Sequence, residues 1–210
     1  KRCSELLEAA PNGWVMEYYV GKDYSLGGIT LLCKFDGQRV TMASQIAGAD
    51  ETVSSLYSVK SEQATMLSFD TYNYLVHYFG QPQGSMADDP NGTLGGDYEF
   101  VISDATADRI ELKGKKYGNR IVMKAFSADQ TWKQYLTRIK KVEDDAFFYE
   151  YDLRMDGLYT GQMLRSNYTF IVTYYDEVGK VHQKTVPFMF TTDGMRFHEP
   201  VTIDGQTMQN

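Results

Sequence analysis

Leu67–Phe100, LSFDTYNYLVHYFGQPQGSMADDPNGTLGGDYEF, is the stretch on which the fold turns. A β-patterned chain breaks off at Phe69, makes a short aromatic helix and enters a long Gly-rich loop before the β pattern resumes at Tyr98. Asp70 is positioned as an N-cap for a helix over 71–79. Within it Tyr72, Leu75, Val76 and Phe79 fall at i, i+3, i+4 and i+7, which predicts a buried stripe and leaves Asn73, Tyr74, His77 and Tyr78 on the other faces. Gly80 ends the helix. The loop that follows, 81–97, carries Pro82, Gly84, Pro90, Gly92, Gly95 and Gly96, and loops of such length inside a domain are usually functional or mobile. A fold of repeated hairpins has little structural need for this excursion, which is therefore expected to close one end of the fold, as a lid or as a core plug.

Outward from it, five strands are predicted before and three after. Trp14–Val20 alternates; Ile29–Phe35 is apolar and meets Arg39–Ile46 through Asp36-Gly37, a two-residue hairpin signal. Thr52–Lys60 and Ala64–Phe69 complete the first five. Tyr98–Ser103, Arg109–Lys113 and Ile121–Phe126 follow the excursion. Eight consecutive strands with short turns are most simply paired antiparallel, as an up-and-down barrel of lipocalin-like rhythm or as a sandwich. Ahead of them Ser4 and Pro11 bracket a short N-terminal helix.

Beyond Phe126 the pattern changes. Ser127-Ala128-Asp129-Gln130 fits a capping box and opens an amphipathic helix over 128–141, with Trp132, Tyr135, Leu136 and Ile139 on one stripe. Further antiparallel strands are predicted at Phe147–Leu153, Tyr168–Tyr175, Val181–Phe190 and Met195–His198, too few to close a barrel. The division expected is a barrel-like domain over 1–126 and a helix plus β unit over 127–210, packed on the first or opening a second similar domain. The closing VTIDGQTMQN reads as strand, turn and strand onset, so the natural chain is expected to continue past Asn210.

Composition narrows the function classes. With 42% hydrophobic residues the chain can bury a core, and 14% aromatics suit pleated surfaces. A net charge of −7 argues against nucleic acid, whose phosphates demand clustered cations. The densest basic run, Lys113, Lys115 and Lys116, reads as a solvated turn. Cys3 and Cys33 fit either a disulfide or two free thiols. No run of roughly 18 apolar residues occurs to form a membrane-crossing helix, and an opening on Lys1 rather than Met leads one to expect a leader upstream.

LLEAAPNGWVMEYY (6–19), LSFDTYNYLVHYF (67–79), GGDYEFVI (95–102), DRIELKGKKYGN (108–119) and FMFTTDGMRFHEP (188–200) together resemble an uncharacterised family of lipoproteins from Bacteroides-type bacteria. The resemblance implies export and an outer-membrane anchor through a lipidated cysteine, on the periplasmic or cell-surface side. Cys3 sits inside the first predicted helix, so the anchor would lie upstream of this chain and supply its sole membrane attachment. The family carries no activity to transfer.

Catalytic chemistry finds no motif. The three histidines, His77, His182 and His198, form no metal-binding spacing, and there is no nucleophile elbow or P-loop. The acidic loop Asp88-Asp89-Pro90-Asn91-Gly92 lacks the EF-hand spacing. No cofactor and no metal is expected. What remains is the aromatic surface of the excursion, and Tyr74, His77, Tyr78 and Tyr98 are the candidate ligand-binding residues. The function expected is a non-enzymatic extracytoplasmic binding domain for a glycan or small molecule; the alternative is a structural or adhesion module that contacts a cell-surface protein. An open cavity lined by Tyr74, His77 and Tyr78 would favour the first, a barrel packed by Tyr72, Leu75 and Phe79 the second.

Overall fold

Eight antiparallel strands close into a ring in the computed structural model, which describes residues 2–61, 63–80, 94–203 and 205–210. A helix α1 (Arg2–Ala9) leads into β1 (Trp14–Val20), β2 (Gly27–Asp36), β3 (Arg39–Ser44), β4 (Val53–Ser61) and β5 (Thr65–Phe69). The excursion intervenes, and β6 (Glu99–Ala105), β7 (Arg109–Gly114) and β8 (Arg120–Ala125) complete the wall. Each strand pairs with the next, and β8 returns to β1 with Trp14 opposite Ala125 and Tyr19 opposite Arg120. Barrel and sandwich were both compatible with the strand rhythm; the barrel is the architecture, and its closure leaves no wall strand with a free edge.

The interior is filled by the period-two inward set. Trp14, Met16, Tyr18 and Val20 of β1 share one core with Ile29, Leu31, Cys33 and Phe35 of β2 and with Leu67, Phe69 and Phe100 across the ring. Burying each large apolar side chain is worth roughly 1.5–3 kcal/mol before the entropy of ordering it is set against that gain. Cys33 and Cys3 are both free thiols. The outward residues Val15, Leu32 and Ala43 are buried as well, under Phe126 and Leu136. Two-sided burial explains why Ile29–Phe35 is continuously apolar rather than alternating.

The excursion enters this interior as a plug. Its helix is shorter than the predicted 71–79: one α-helical turn, α2 (Tyr74–His77), and a 3₁₀ turn over Tyr78–Gly80. Asn73, not Asp70, is the N-cap; its Oδ1 accepts from the Leu75 N–H at 3.1 Å, while Asp70 takes the Ser68 hydroxyl at 2.6 Å. Leu75, Val76 and Phe79 lie in the barrel core, with the Phe79 ring edge-on to Tyr18 at 6.4 Å. Tyr72, expected on the same stripe, is 63% exposed, because the helix begins two residues after it. At the N-terminus, α1 starts at Arg2, so Ser4 is inside the helix rather than its cap.

The second half is built on α3 (Trp132–Asp145), which begins later than the predicted 128 and ends later than 141. Thr131 is its N-cap and Gln134 completes the capping box, while Ser127 instead bonds the Asp129 side chain. Trp132 Nε1 donates to the Asn12 carbonyl at 3.0 Å, which pins the first turn to the chain entering the barrel. Five strands follow, β9 (Glu150–Met155), β10 (Leu158–Ser166), β11 (Thr169–Tyr175), β12 (Val181–Phe190) and β13 (Met195–Phe197), in the sheet order β13-β12-β11-β10-β9, an open half-barrel. The sequence reading did not anticipate β10, and it began β9 at Phe147, three residues early. Finally β14 (Val201–Ile203) and β15 (Gln206–Met208) form a hairpin whose Val201, Ile203 and Met208 cover the half-barrel core.

Two glycines set the seam between the rings. A Cβ on Gly27 (φ +72°) would stand 1.9 Å from the Tyr168 carbonyl oxygen, and one on Gly28 would stand 2.9 Å from Met189 Cβ. Only the Gly27-Gly28 pair lets the backbones of the second sheet approach β2 this closely. Helix α3 fills the wedge beside them, with Leu136 against the barrel wall and Ile139 in the half-barrel core.

Candidate functional site

The plug presents one face to the barrel core and the other outward, and the outward face gathers part of the predicted set. His77 is oriented by the turn it closes, its Nδ1 accepting from the Asn73 N–H at 3.1 Å. Asn73 is itself buried and donates to Ser55 Oγ at 3.1 Å, so the turn is tied to the barrel wall. The His77 ring stacks on Tyr98, with centroids 5.0 Å apart and planes 25° from parallel, and Tyr72 lies 5.6 Å from His77. The result is a three-ring row at the plug mouth.

The other two predicted residues stand apart from the row. Tyr74 sends its hydroxyl to Glu51 in the β3–β4 connection, and that hydrogen bond, with a smaller contribution from burial, pushes its pKa up to about 12. Tyr78 turns its ring edge-on to Phe79 at 5.0 Å. The plug side chains Leu75, Val76 and Phe79 are packed into the barrel core, so the space inside the ring at this end is filled.

Beside Tyr98 the surface folds into a crevice of about 170 Å³ whose walls include Glu99, Lys115, Lys116 and Tyr117. Its floor is Asp97, only 3% exposed, and the geometry of that carboxylate fixes everything above it. Asp97 Oδ1 accepts from the N–H groups of Lys116 (2.8 Å) and Tyr117 (3.1 Å), and Oδ2 accepts from Asn119 N–H (3.1 Å). The β7–β8 turn is thus an anion-binding nest whose anion is supplied by the chain itself. Gly114 is required there, because a Cβ would stand 1.8 Å from Asp97 Oδ2. The main chain of Asp97 is held as firmly: its N–H donates to Tyr18 Oη at 3.0 Å and to Asn119 Oδ1 at 3.2 Å. Burial, reinforced by the nearby Asp97 charge, drives the Tyr18 phenol far above its ordinary pKa, so it works as a neutral donor and acceptor.

Of the four predicted residues the structure brings His77 and Tyr98 together, while the neighbouring Tyr117 and the role of Asp97 were not read from the sequence. The signal for the last was available in two separated phrases, Gly95-Gly96-Asp97 and Gly114–Asn119, whose glycines mark close backbone approach. The basic run is a solvated turn, as read: Lys113, Lys115 and Lys116 are exposed, and Lys115 pairs with Glu99 at 3.3 Å. The remaining histidines lie elsewhere. His182 meets Asp176 at 2.8 Å, and His198 lies between the rings of Tyr19 and Tyr24. No group of three or more side chains able to hold a metal ion is found among the described residues. The acidic loop at 88–92 lies outside them.

Among known proteins, the family model described as "Domain of unknown function (DUF4302)" matches residues 1–210. The chain belongs to the DUF4302 family. No curated protein and no solved structure matches it.

Proposed function

We propose that the chain is a non-enzymatic extracytoplasmic binding domain of an outer-membrane-anchored lipoprotein, and that it receives a saccharide on the outer face of the plug. The observation that carries this reading is the row Tyr72–His77–Tyr98 bordering the crevice of Tyr117, Glu99 and Lys115. Ring faces stack on the apolar faces of sugars, and a carboxylate and ammonium beside them supply an acceptor and donors for hydroxyl groups. The barrel interior is filled, so a ligand at this end would bind outside the ring. The lipoprotein character and bacterial setting enter through the sequence resemblance alone.

A glycan array followed by thermal-shift titration tests the reading with the wild type, Tyr98→Ala and Tyr72→Ala. At least one glycan is expected to bind, with affinity about tenfold lower in Tyr98→Ala, equivalent to about 1.4 kcal/mol. Both variants should keep wild-type stability within about 0.5 kcal/mol, since these rings sit at the surface. Absence of any glycan hit, or equal binding by Tyr98→Ala, would end this assignment.

The filled barrel equally suits the second reading, a structural or adhesion module contacting another cell-surface protein. It is favoured by Phe147, Phe148 and Tyr149, all exposed at the entry to the edge strand β9. A chain that binds no glycan but adheres through this flank, and loses adhesion on Phe148→Ser, would replace the first reading.

A further inference from the structure

The seam between the two rings opens into a cleft of about 560 Å³. That volume is within the usual range for small-molecule sites. Its apolar lining includes Val15 on the barrel wall, Tyr135 on α3 and Met189 on β12, with Phe126 edge-on to Tyr135 at 5.4 Å. Hydroxyl and amide groups of Ser127, Gln130 and Thr191 stand at its edge.

The charges in the cleft are unequal in their pairing. Glu17 accepts from Lys124 Nζ at 2.7 Å and from Arg196 Nη2, so one carboxylate serves two cations. Burial alone would raise the Glu17 pKa, but those two partners outweigh it and hold the group below the usual carboxylate range. Asp193, the other acid of the lining, is engaged by Arg138 at 2.9 Å. Beyond Glu17, Arg196 meets two neutral partners, the thioether sulfur of Met189 at 3.3 Å, a weak acceptor, and the Tyr19 phenol. Glu17 is the charged acceptor that this planar fork of five donors meets in a part-buried, apolar-walled space, and a second carboxylate is the group that best complements it.

We infer that this cleft binds a small organic carboxylate carrying a one- or two-ring body, with Arg196 and Lys124 receiving the carboxylate and Phe126, Tyr135 and Met189 flanking the ring. The site is separate from the plug mouth.

The test titrates benzoate, 4-hydroxybenzoate and glucuronate against the protein by NMR shift perturbation, each beside its neutral amide. At least one acid is expected to bind with shifts at Tyr135 and Met189, and its amide at least tenfold more weakly. Arg196→Gln should abolish the acid's preference over the amide, and Arg196→Lys should restore part of it. Because Arg196→Gln also disturbs Glu17, Ser127→Trp provides a variant that leaves the charges intact: it fills the mouth and should lower affinity at least tenfold. Tyr98→Ala should leave binding unchanged, which separates this site from the saccharide reading. Failure of all three acids to bind, equal binding of acid and amide, or undiminished binding by Ser127→Trp would overturn the inference.

Discussion

The barrel and the half-barrel are made of the same material, antiparallel strands with aromatic cores, and differ in closure. Every barrel strand is paired on both sides, and the interior is filled from within the ring and by its own plug. Among the described strands, β9 in the half-barrel pairs with β10 alone and β13 with β12 alone, the outer side of β13 meeting the chain at Gln209, and Phe147, Phe148, Tyr149, Leu158 and Tyr159 remain exposed around β9. Its core, built on Phe170, Phe188 and Phe190, is completed by borrowed elements: Ile139 of α3 and Val201 and Ile203 of the terminal hairpin. Closure lets the barrel pair every strand within its own ring, although Leu136 of α3 covers part of its outer face; the half-barrel leans on β2 and α3. Local stability should follow that division.

The largest break in this contrast is expected at the buried Asp97 carboxylate of the barrel. Asp97→Ala leaves the N–H groups of Lys116, Tyr117 and Asn119 without their acceptor in a buried site, at a cost of about 4 kcal/mol. Urea unfolding should register the loss in the barrel transition, read from near-UV signals of Trp14 and Tyr18. A cost under about 1 kcal/mol would mean that the nest is refilled by water.

Gly27→Ala acts on the seam instead. The added methyl meets the Tyr168 carbonyl, and the left-handed backbone adds its own penalty, together about 3 kcal/mol. Hydrogen exchange should speed up in β11 and β12 while β4–β6 keep their protection. Equal acceleration across all strands would show that the two rings unfold as one unit.

A smaller effect is expected on acidification. His198, at the same seam, has its pKa lowered below 6.5 by burial and by the Arg120 charge. The unfolded chain binds that proton more readily, so stability is complete above pH 6.5 and declines as pH falls through the lowered value. Glu17, held below 4.5, acts in the same sense at lower pH: its contribution is present above 4.5 and is lost as pH falls through its folded value. Thermal melts between pH 7.5 and 5 should slope downward, and His198→Phe should flatten that slope without altering the region below pH 4.5.

How much of this was legible follows the same division. The barrel strands could be read because each alternates against a filled interior and is punctuated by turns such as Asp36-Gly37. β10 could not: Leu158–Ser166 mixes polar and apolar groups on both faces, as a thinly covered strand of an open sheet does. Conversely Phe147-Phe148-Tyr149 mimics a strand in composition, yet its side chains are exposed ahead of β9. Two capping boxes compete at 127–134, and the Trp132 bond to Asn12, 120 residues away, decides between them. In the candidate site, the stacking of His77 on Tyr98 joins two residues that the sequence already places in one excursion. Tyr72 was misplaced because a four-residue helix held by Asn73 and Ser55 leaves too short a period to read. The cleft at the seam was invisible, since its charges come from Glu17, Lys124 and Arg196, far apart in the chain.

Cys33 gives the closed ring an internal clock. Its sulfur is sealed in the barrel core, and burial pushes its thiol well above the ordinary range, whereas Cys3 on α1 is half-exposed. A thiol reagent therefore meets one cysteine directly and the other only when the strands part. The ratio of the two modification rates reads the opening frequency of the barrel in the native protein, with no denaturant and no introduced probe.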